Sequence, residues 1–169
     1  MFSIRFWVAL SVILTISGGA YYWYQNREEP FVPYEDFGEW LSEEPRSEAD
    51  IENYVENLQE AYTNDTYGGD TPQETLRLLH DALAEGDIEL ASKYFLVEKQ
   101  EKIYTSLQTA QKNNVISLIV EAIEMGGEGS YFTETSYEFK TKDLKGEGAG
   151  FLFTFIKNPY SGVWKIEDL

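Results

Sequence analysis

The single histidine and its acidic neighbours are the first residues in this chain that could support catalysis. His80 is followed directly by Asp81, and Asp87 comes seven positions later. A carboxylate beside an imidazole can orient a general base. However, His80 lies between Leu76 and Leu83 at the margin of a helical apolar stripe, where a histidine is usually a boundary side chain with a satisfied hydrogen bond. The spacing does not single out a dyad, and the sequence predicts no catalytic residue.

A second polar group crowds a glycine-containing loop. Asn64, Asp65 and Asp70 carry the oxygen ligands that Ca²⁺ takes, although their spacing departs from the EF-hand pattern. Turn formation and helix capping also account for each of them. The chain has no cysteine, which excludes thiolate zinc sites and cysteine nucleophiles. The glycines of 146–150 precede a strand and form no phosphate-binding loop. We therefore expect no metal site and no cofactor.

Aromatic side chains near the C-terminus form the remaining candidate site. Tyr137, Phe139, Phe153 and Trp164 are taken as the lining of a ligand pocket. If such a pocket also held a buried carboxylate with a raised pKa, the protein would be a small enzyme that uses that group as an acid or base.

Capping signals divide the middle of the chain into helices. Ser47 with Asp50 three residues later resembles a capping box, and an apolar stripe follows from Ile51 to Tyr62. The run Thr71-Pro72-Gln73-Glu74 combines an N-cap threonine with proline at the first helical position and glutamate at the third. Gly86 should end this helix.

Further helices and then strands complete the predicted domain. Asp87 can cap the next helix, and two more are expected at about Glu98–Lys112 and Val115–Met125. Beyond them the apolar period changes from 3.6 to 2. Three antiparallel strands are predicted, at Tyr131–Thr141, Ala149–Lys157 and Val163–Leu169. The fold class is therefore α+β, with N-terminal helices packed on a C-terminal antiparallel meander of about three strands. The middle strand is apolar on both faces, so both sides of the sheet should be covered.

The N-terminus predicts attachment to a membrane. Phe6 to Tyr24 are 19 residues without a charge, enough for a helix to cross the hydrocarbon layer. A cleaved signal peptide is the alternative, with Gly18 and Ala20 at the cleavage positions. We expect an uncleaved anchor over residues 1–24, an acidic tether over 25–46 and an extracytoplasmic α+β domain over 47–169. The protein would then be a single-pass protein of the cell membrane, with its C-terminal domain outside the cytoplasm.

Charge restricts the partners. The chain has 30 acidic and 13 basic residues, a net charge of −17, and residues 28–60 alone carry −11. Nucleic acid binding requires a basic surface, so nucleic acid is excluded as a partner. The expected partners are the membrane, through the N-terminal helix, and either a second copy of the chain paired through the sheet or another protein.

Several short segments resemble the nuclear-transport-factor-2-like superfamily, in particular its exported bacterial domains with a lumazine-binding-like or cystatin-like roll. They are Thr71–Leu76, Ala82–Ala91 with its Gly86-Asp87 corner, and the terminal Gly162–Ile166. The resemblance covers about residues 71–169 and implies a curved sheet packed against helices. That superfamily includes enzymes, ligand binders and dimeric scaffolds, so the resemblance does not choose among functions. Without a recognisable catalytic pair, we expect a non-enzymatic binding or scaffold module.

Overall fold

The computed structural model describes residues 37–43, 45–143 and 150–169. The predicted anchor, the first part of the predicted tether and the segment 144–149 between two strands lie outside the described residues. None of the helices within the described ranges is long and apolar enough to cross a bilayer.

Six α-helices are followed by four β-strands in these ranges. The helices are α1 (Phe37–Glu43), α2 (Glu48–Asn64), α3 (Pro72–Glu85), α4 (Ile88–Lys93), α5 (Gln100–Lys112) and α6 (Ile116–Glu124), with a 3₁₀ turn at Val97–Lys99. The strands are β1 (Gly127–Thr133), β2 (Ser136–Thr141), β3 (Leu152–Lys157) and β4 (Trp164–Asp168). The predicted α+β class, with helices before an antiparallel sheet, is confirmed.

The predicted starts of α2 and α3 rest on the expected side-chain caps. The Ser47 hydroxyl accepts a hydrogen bond from the Asp50 backbone N–H, and the Asp50 carboxylate accepts one from the Ser47 N–H, which completes a capping box at α2. Thr71 caps α3 by accepting from the Glu74 N–H at 3.1 Å. Gly86 ends α3 with φ of 77°, a left-handed conformation that glycine adopts without steric cost.

Within the described residues the sheet has four strands in the order β1-β2-β3-β4, all antiparallel, so the prediction of three strands was wrong. Residues 131–141, predicted as one strand, include the end of β1, a turn at Glu134 and Thr135, and all of β2. The turn contains no glycine, proline or asparagine, the residues that mark most reversals. Its only local signal is a run of four polar residues from Thr133 to Ser136, which the exposed part of a single strand can also contain.

One face of the sheet, the inner face, packs against the helices. Phe153, Phe155 and Ile166 are fully buried there and form one hydrophobic core with Leu79 and Leu83 of α3. The helices cover this face as the sequence predicts. Burial of large aromatic side chains is the main contribution that such a core makes to stability.

The other face, the outer face, lies partly under α2. Ile156 and Lys165 are register partners on β3 and β4, and they point away from Phe155. Residues of α2 and Ile156 line a shared groove, described below. Before α2, within the segment predicted as a tether, α1 places Trp40 against Tyr54 with ring centroids 4.4 Å apart. At least one aromatic residue of that segment therefore packs on the domain.

Candidate functional site

The four aromatic residues predicted as a pocket lie together on the inner face. Tyr137, Phe153 and Trp164 are buried in the hydrophobic core, and Phe139 is half-buried at its margin. Tyr137 contacts Phe155 edge-on, with ring centroids 6.0 Å apart. Alternation along the strands could not settle which of these residues face inward. They belong to one hydrophobic core with helix residues such as Leu79 and Leu83, and their role in ligand binding stays a prediction.

A groove of about 390 Å³ opens on the opposite side of the sheet, between α2 and the ends of β3 and β4. We call it the outer groove. It is lined by Val55, Leu58, Gln59 and Tyr62 of α2, by Leu96 and Glu98, by Ile156, Asn158, Pro159 and Tyr160, and by Glu167. Most of these side chains are apolar or aromatic. Its ionisable groups are two tyrosines and two glutamates, which carry negative charge whenever they ionise.

Tyr62 and Glu98 form the polar centre of the outer groove. The Tyr62 hydroxyl donates a hydrogen bond to the Glu98 carboxylate, Oε2. Burial, and then this hydrogen bond, raise the pKa of Tyr62, so the phenol keeps its proton and acts as a donor. The carboxylate has room for further donors, because an ionised carboxylate offers about four lone-pair sites. Glu98 can therefore also accept from a cationic group in the groove.

Asn158 holds the wall of the groove to α2. Its side-chain amide donates to the Tyr62 carbonyl at 2.8 Å, and its Oδ1 accepts from the backbone N–H groups of Tyr160 and Ser161 at 2.9 and 3.2 Å. The side chain is almost fully buried. Because one amide joins the β3–β4 turn to the end of α2, the width of the outer groove is fixed by the fold.

A buried ion pair lies beside this end of α2. The Lys165 ammonium is fully buried, 2.7 Å from Asp65 Oδ2, and also donates to the carbonyls of Tyr67 and Lys93. Gln100 Nε2 donates to the same Asp65 oxygen at 3.0 Å. Burial lowers the pKa of Lys165, and the Asp65 carboxylate opposes that lowering. Both charges have their hydrogen bonds satisfied, which a buried pair requires.

This ion pair also bears on the calcium hypothesis. Asp65, the central residue of that proposed ligand set, gives its carboxylate to Lys165 and Gln100, and its other oxygen accepts from the Tyr67 N–H at 3.0 Å. Within the described ranges, no group of three or more His, Cys, Asp or Glu side chains is placed to hold a metal ion. Sequence reasoning missed Lys165, because it reads as an ordinary solvent-facing lysine of a terminal strand.

His80 lies on the surface between two helices. Its Nδ1 is 3.0 Å from Asp81 Oδ1, and its Nε2 is 3.3 Å from Glu124 Oε1 of α6. The hydrogen bond with Asp81 is the main cause that raises the pKa of His80. Asp87, the other acid considered for a dyad, instead caps α4 by accepting from the Leu90 N–H at 2.9 Å. The contact with Glu124 therefore connects α3 to α6, whereas the contact with Asp81 lies within α3.

Comparisons with known proteins add no family to this geometry: no protein-family model, curated protein or solved structure matches the chain. The likeness to the nuclear-transport-factor-2-like superfamily stays a prediction from its short segments.

Proposed function

We propose that the protein is a non-enzymatic, membrane-anchored module whose extracytoplasmic domain binds a segment of a partner protein in the outer groove. The partner segment carries apolar side chains next to a lysine or arginine. The observation that carries the proposal is the composition of the groove, which combines an apolar floor with ionisable groups of acidic type only. An apolar concave surface with a few polar groups is the usual form of a binding site.

Charge on α2 supports a basic partner. Glu48, Glu52, Glu56 and Glu60 follow one another at intervals of four residues, and α2 contains no lysine or arginine. Like charges at this spacing destabilise an isolated helix by about 0.2–0.5 kcal/mol per pair. The row borders the groove, since Gln59 lines the groove and also lines an adjoining surface depression with Glu56 and Glu60. A basic segment in the groove would relieve this repulsion and associate faster.

The anchored location rests on the uncharged run from Phe6 to Tyr24 and on the aromatic cluster Tyr21–Tyr24, where interfacial side chains favour the headgroup layer. Its test is extraction of native membranes with alkaline carbonate, combined with protease treatment of intact cells stripped of any outer barrier. The proposal expects the full chain to stay in the membrane pellet and the domain to be digested from outside. Release into the carbonate supernatant, or protection of the domain, would contradict it.

Binding is tested with two fluorescently labelled eight-residue peptides, one alternating leucine with lysine and one alternating leucine with glutamate. The full chain is held in nanodiscs of zwitterionic lipid, and peptide anisotropy is measured at two salt concentrations. The proposal expects binding of the lysine peptide, weakened by salt, and none of the glutamate peptide.

The matched variants place a lysine inside or outside the groove. Val55→Lys adds a positive charge to the groove at a residue that is 50% exposed, whereas Leu118→Lys changes a residue of α6 that is 44% exposed. Val55→Lys should weaken binding of the lysine peptide by roughly tenfold or more, and Leu118→Lys should leave it near wild type. Equal weakening by both variants, or binding of both peptides alike, would overturn the assignment to the groove.

A further inference from the structure

The two edges of the sheet differ. The β4 edge is occupied by backbone from other segments: the Ile166 N–H donates to the Tyr94 carbonyl at 2.9 Å, and the Trp164 N–H donates to the Gly69 carbonyl at 2.9 Å. At the opposite edge, β2 is the only described strand that pairs with β1. A strand with one unpaired side is a template for another strand.

The β1 edge carries little of the protection that natural edge strands have. Its seven residues include no lysine and no proline, Glu128 is the only charged one, and every residue after Gly127 is exposed. The aromatic side chains of Tyr131 and Phe132 are 56% and 64% exposed. Monomeric proteins usually guard such an edge with a charge or a proline, so this edge is suited to pairing.

One hydrogen bond just before β1 determines which backbone N–H groups of the strand face β2 and which face outward. The Lys142 N–H donates to the Gly126 carbonyl at 2.9 Å, so the next pair, Gly127 with Thr141, exchanges no hydrogen bonds of its own. Donors alternate along a strand. Glu128 and Ser130 therefore direct their N–H groups to β2, while Gly127, Gly129 and Tyr131 direct theirs outward.

We infer that a second copy of the chain pairs with β1 in antiparallel fashion, about a two-fold axis at Gly129. The regular β1–β2 ladder runs from Gly127 to Tyr131 and is interrupted by a bulge after Tyr131. Gly129 is the midpoint of that regular part. A two-fold axis there uses all three outward-facing residues on each copy and joins the two four-stranded sheets into one.

This register is self-complementary on the inner face. It places Tyr131 opposite the partner's Gly127, which has no side chain. A Cβ at Gly127 would lie 2.9 Å from the Phe139 ring, so Phe139 covers that glycine in its own copy. The Tyr131 ring packs on Tyr137 of its own copy, with ring centroids 4.7 Å apart, and the partner's Gly127 presents no side chain that would displace it.

In the same register, no two like charges lie opposite each other on the outer face of the joined sheet. Glu128 falls opposite the partner's Ser130, and Lys140 of β2 already lies beside Glu128. Moving the axis by one residue to Glu128 would bring two carboxylates face to face. The segment 127–142 contains three glutamates and two lysines, whereas the chain as a whole carries a net charge of −17. Self-association at this edge therefore meets less repulsion than elsewhere.

The absence of native cysteine makes the register directly testable in the full chain. Two variants, Glu128→Cys and Ser130→Cys, carry different epitope tags, are co-expressed, and are oxidised in their native membranes with copper phenanthroline. In the proposed dimer their Cα atoms are about 4.5 Å apart, within reach of a disulfide. Like residues on the two copies are diagonal neighbours at about 7–8 Å.

The inference expects the mixed pair to form a cross-linked heterodimer at least roughly fivefold more than either variant forms a homodimer. Leu118→Cys, exposed on α6, mixed with Ser130→Cys measures random collision. Heterodimer at the collision level, or equal cross-linking of every combination, would overturn the dimer at this register. Neither result affects the outer groove, because Val55 and the peptides are not involved.

Discussion

Lys165 Nζ lies 2.7 Å from Asp65 Oδ2, and the two residues are separated by 100 positions in the chain. The pair ties β4 to the loop that follows α2, and the same ammonium reaches the end of α4 through the Lys93 carbonyl. Because α2 forms one wall of the outer groove, this pair and Asn158 hold that wall against the sheet.

Replacing one member of this pair should be strongly destabilising. Asp65→Asn leaves the buried Lys165 ammonium without its counter-charge, and we expect a loss of about 3–5 kcal/mol in the free energy of unfolding. Near-ultraviolet circular dichroism of the chain in mild detergent, followed through a urea titration, measures it. Asp70→Asn, at an exposed carboxylate of the same loop, should change stability by under about 0.5 kcal/mol. Comparable losses in both variants would show that the ion pair is not the source.

Two adjacent residues of β3 test the assignment of the sheet faces. Phe153 is fully buried and Leu152 is 47% exposed, since successive strand residues point to opposite faces. Phe153→Ala should cost about 3–5 kcal/mol through lost burial and a cavity. Leu152→Ala should cost well under about 1 kcal/mol. A larger effect at Leu152 in thermal unfolding would mean that the faces are reversed.

His80 is the only histidine in the chain, so its pKa can be measured without overlap from another imidazole. Hydrogen bonds to Asp81 and Glu124 favour the imidazolium, so the pKa of His80 should lie above its ordinary value of 6.5. The histidine ring protons in an NMR pH titration report it directly. Asp81→Asn should lower this pKa more than Glu124→Gln does, because the contact with Asp81 is the larger cause.

The sign of the linked stability change follows from that shift. A group whose pKa is higher in the folded state stabilises the fold below its unfolded pKa, and the gain is lost as pH rises through the folded pKa. Unfolding measured on both sides of neutral pH should therefore show a small loss of stability with rising pH that His80→Gln abolishes. A gain with rising pH would contradict the observed contacts.

The raised pKa of Tyr62 predicts a second pH dependence of stability, at alkaline pH. Its pKa is raised in the folded state by burial and by Glu98, so above pH 10 the unfolded chain releases a proton that the folded chain keeps. Stability should therefore fall as pH rises past 10. Tyr62→Phe should reduce this slope. Equal slopes in the wild type and Tyr62→Phe would disprove the shift.

Local sequence signals predicted the helices well and the strand count poorly. The starts of α2, α3 and α4 depend on residues three apart, as with Thr71 and Glu74 or Asp87 and Leu90, so the information lies in one short window. The turn at Glu134 and Thr135 uses ordinary residues, and the reversal is stabilised by pairing of β1 with β2 rather than by the turn itself.

The candidate site could not be found from the sequence, because it depends on distant contacts. Alternation along each strand carries no information on whether Phe153 and Trp164 share a face, because that depends on how β3 and β4 pair. The outer groove exists because α2 lies near the β3–β4 turn, an arrangement held by the contact of Asn158 with Tyr62, 96 positions away. No local pattern marks such a contact.

The most direct test of the proposed binding function is photo-cross-linking in the native membrane, with a benzophenone amino acid at Val55 and, as a control, at Leu118. Both positions are exposed, and only Val55 lines the outer groove. The account predicts one reproducible adduct from Val55 alone, whose cross-linked peptide, sequenced by mass spectrometry, carries lysine or arginine among apolar residues. The same adducts from both positions, an acidic peptide, or no adduct from Val55 would contradict it.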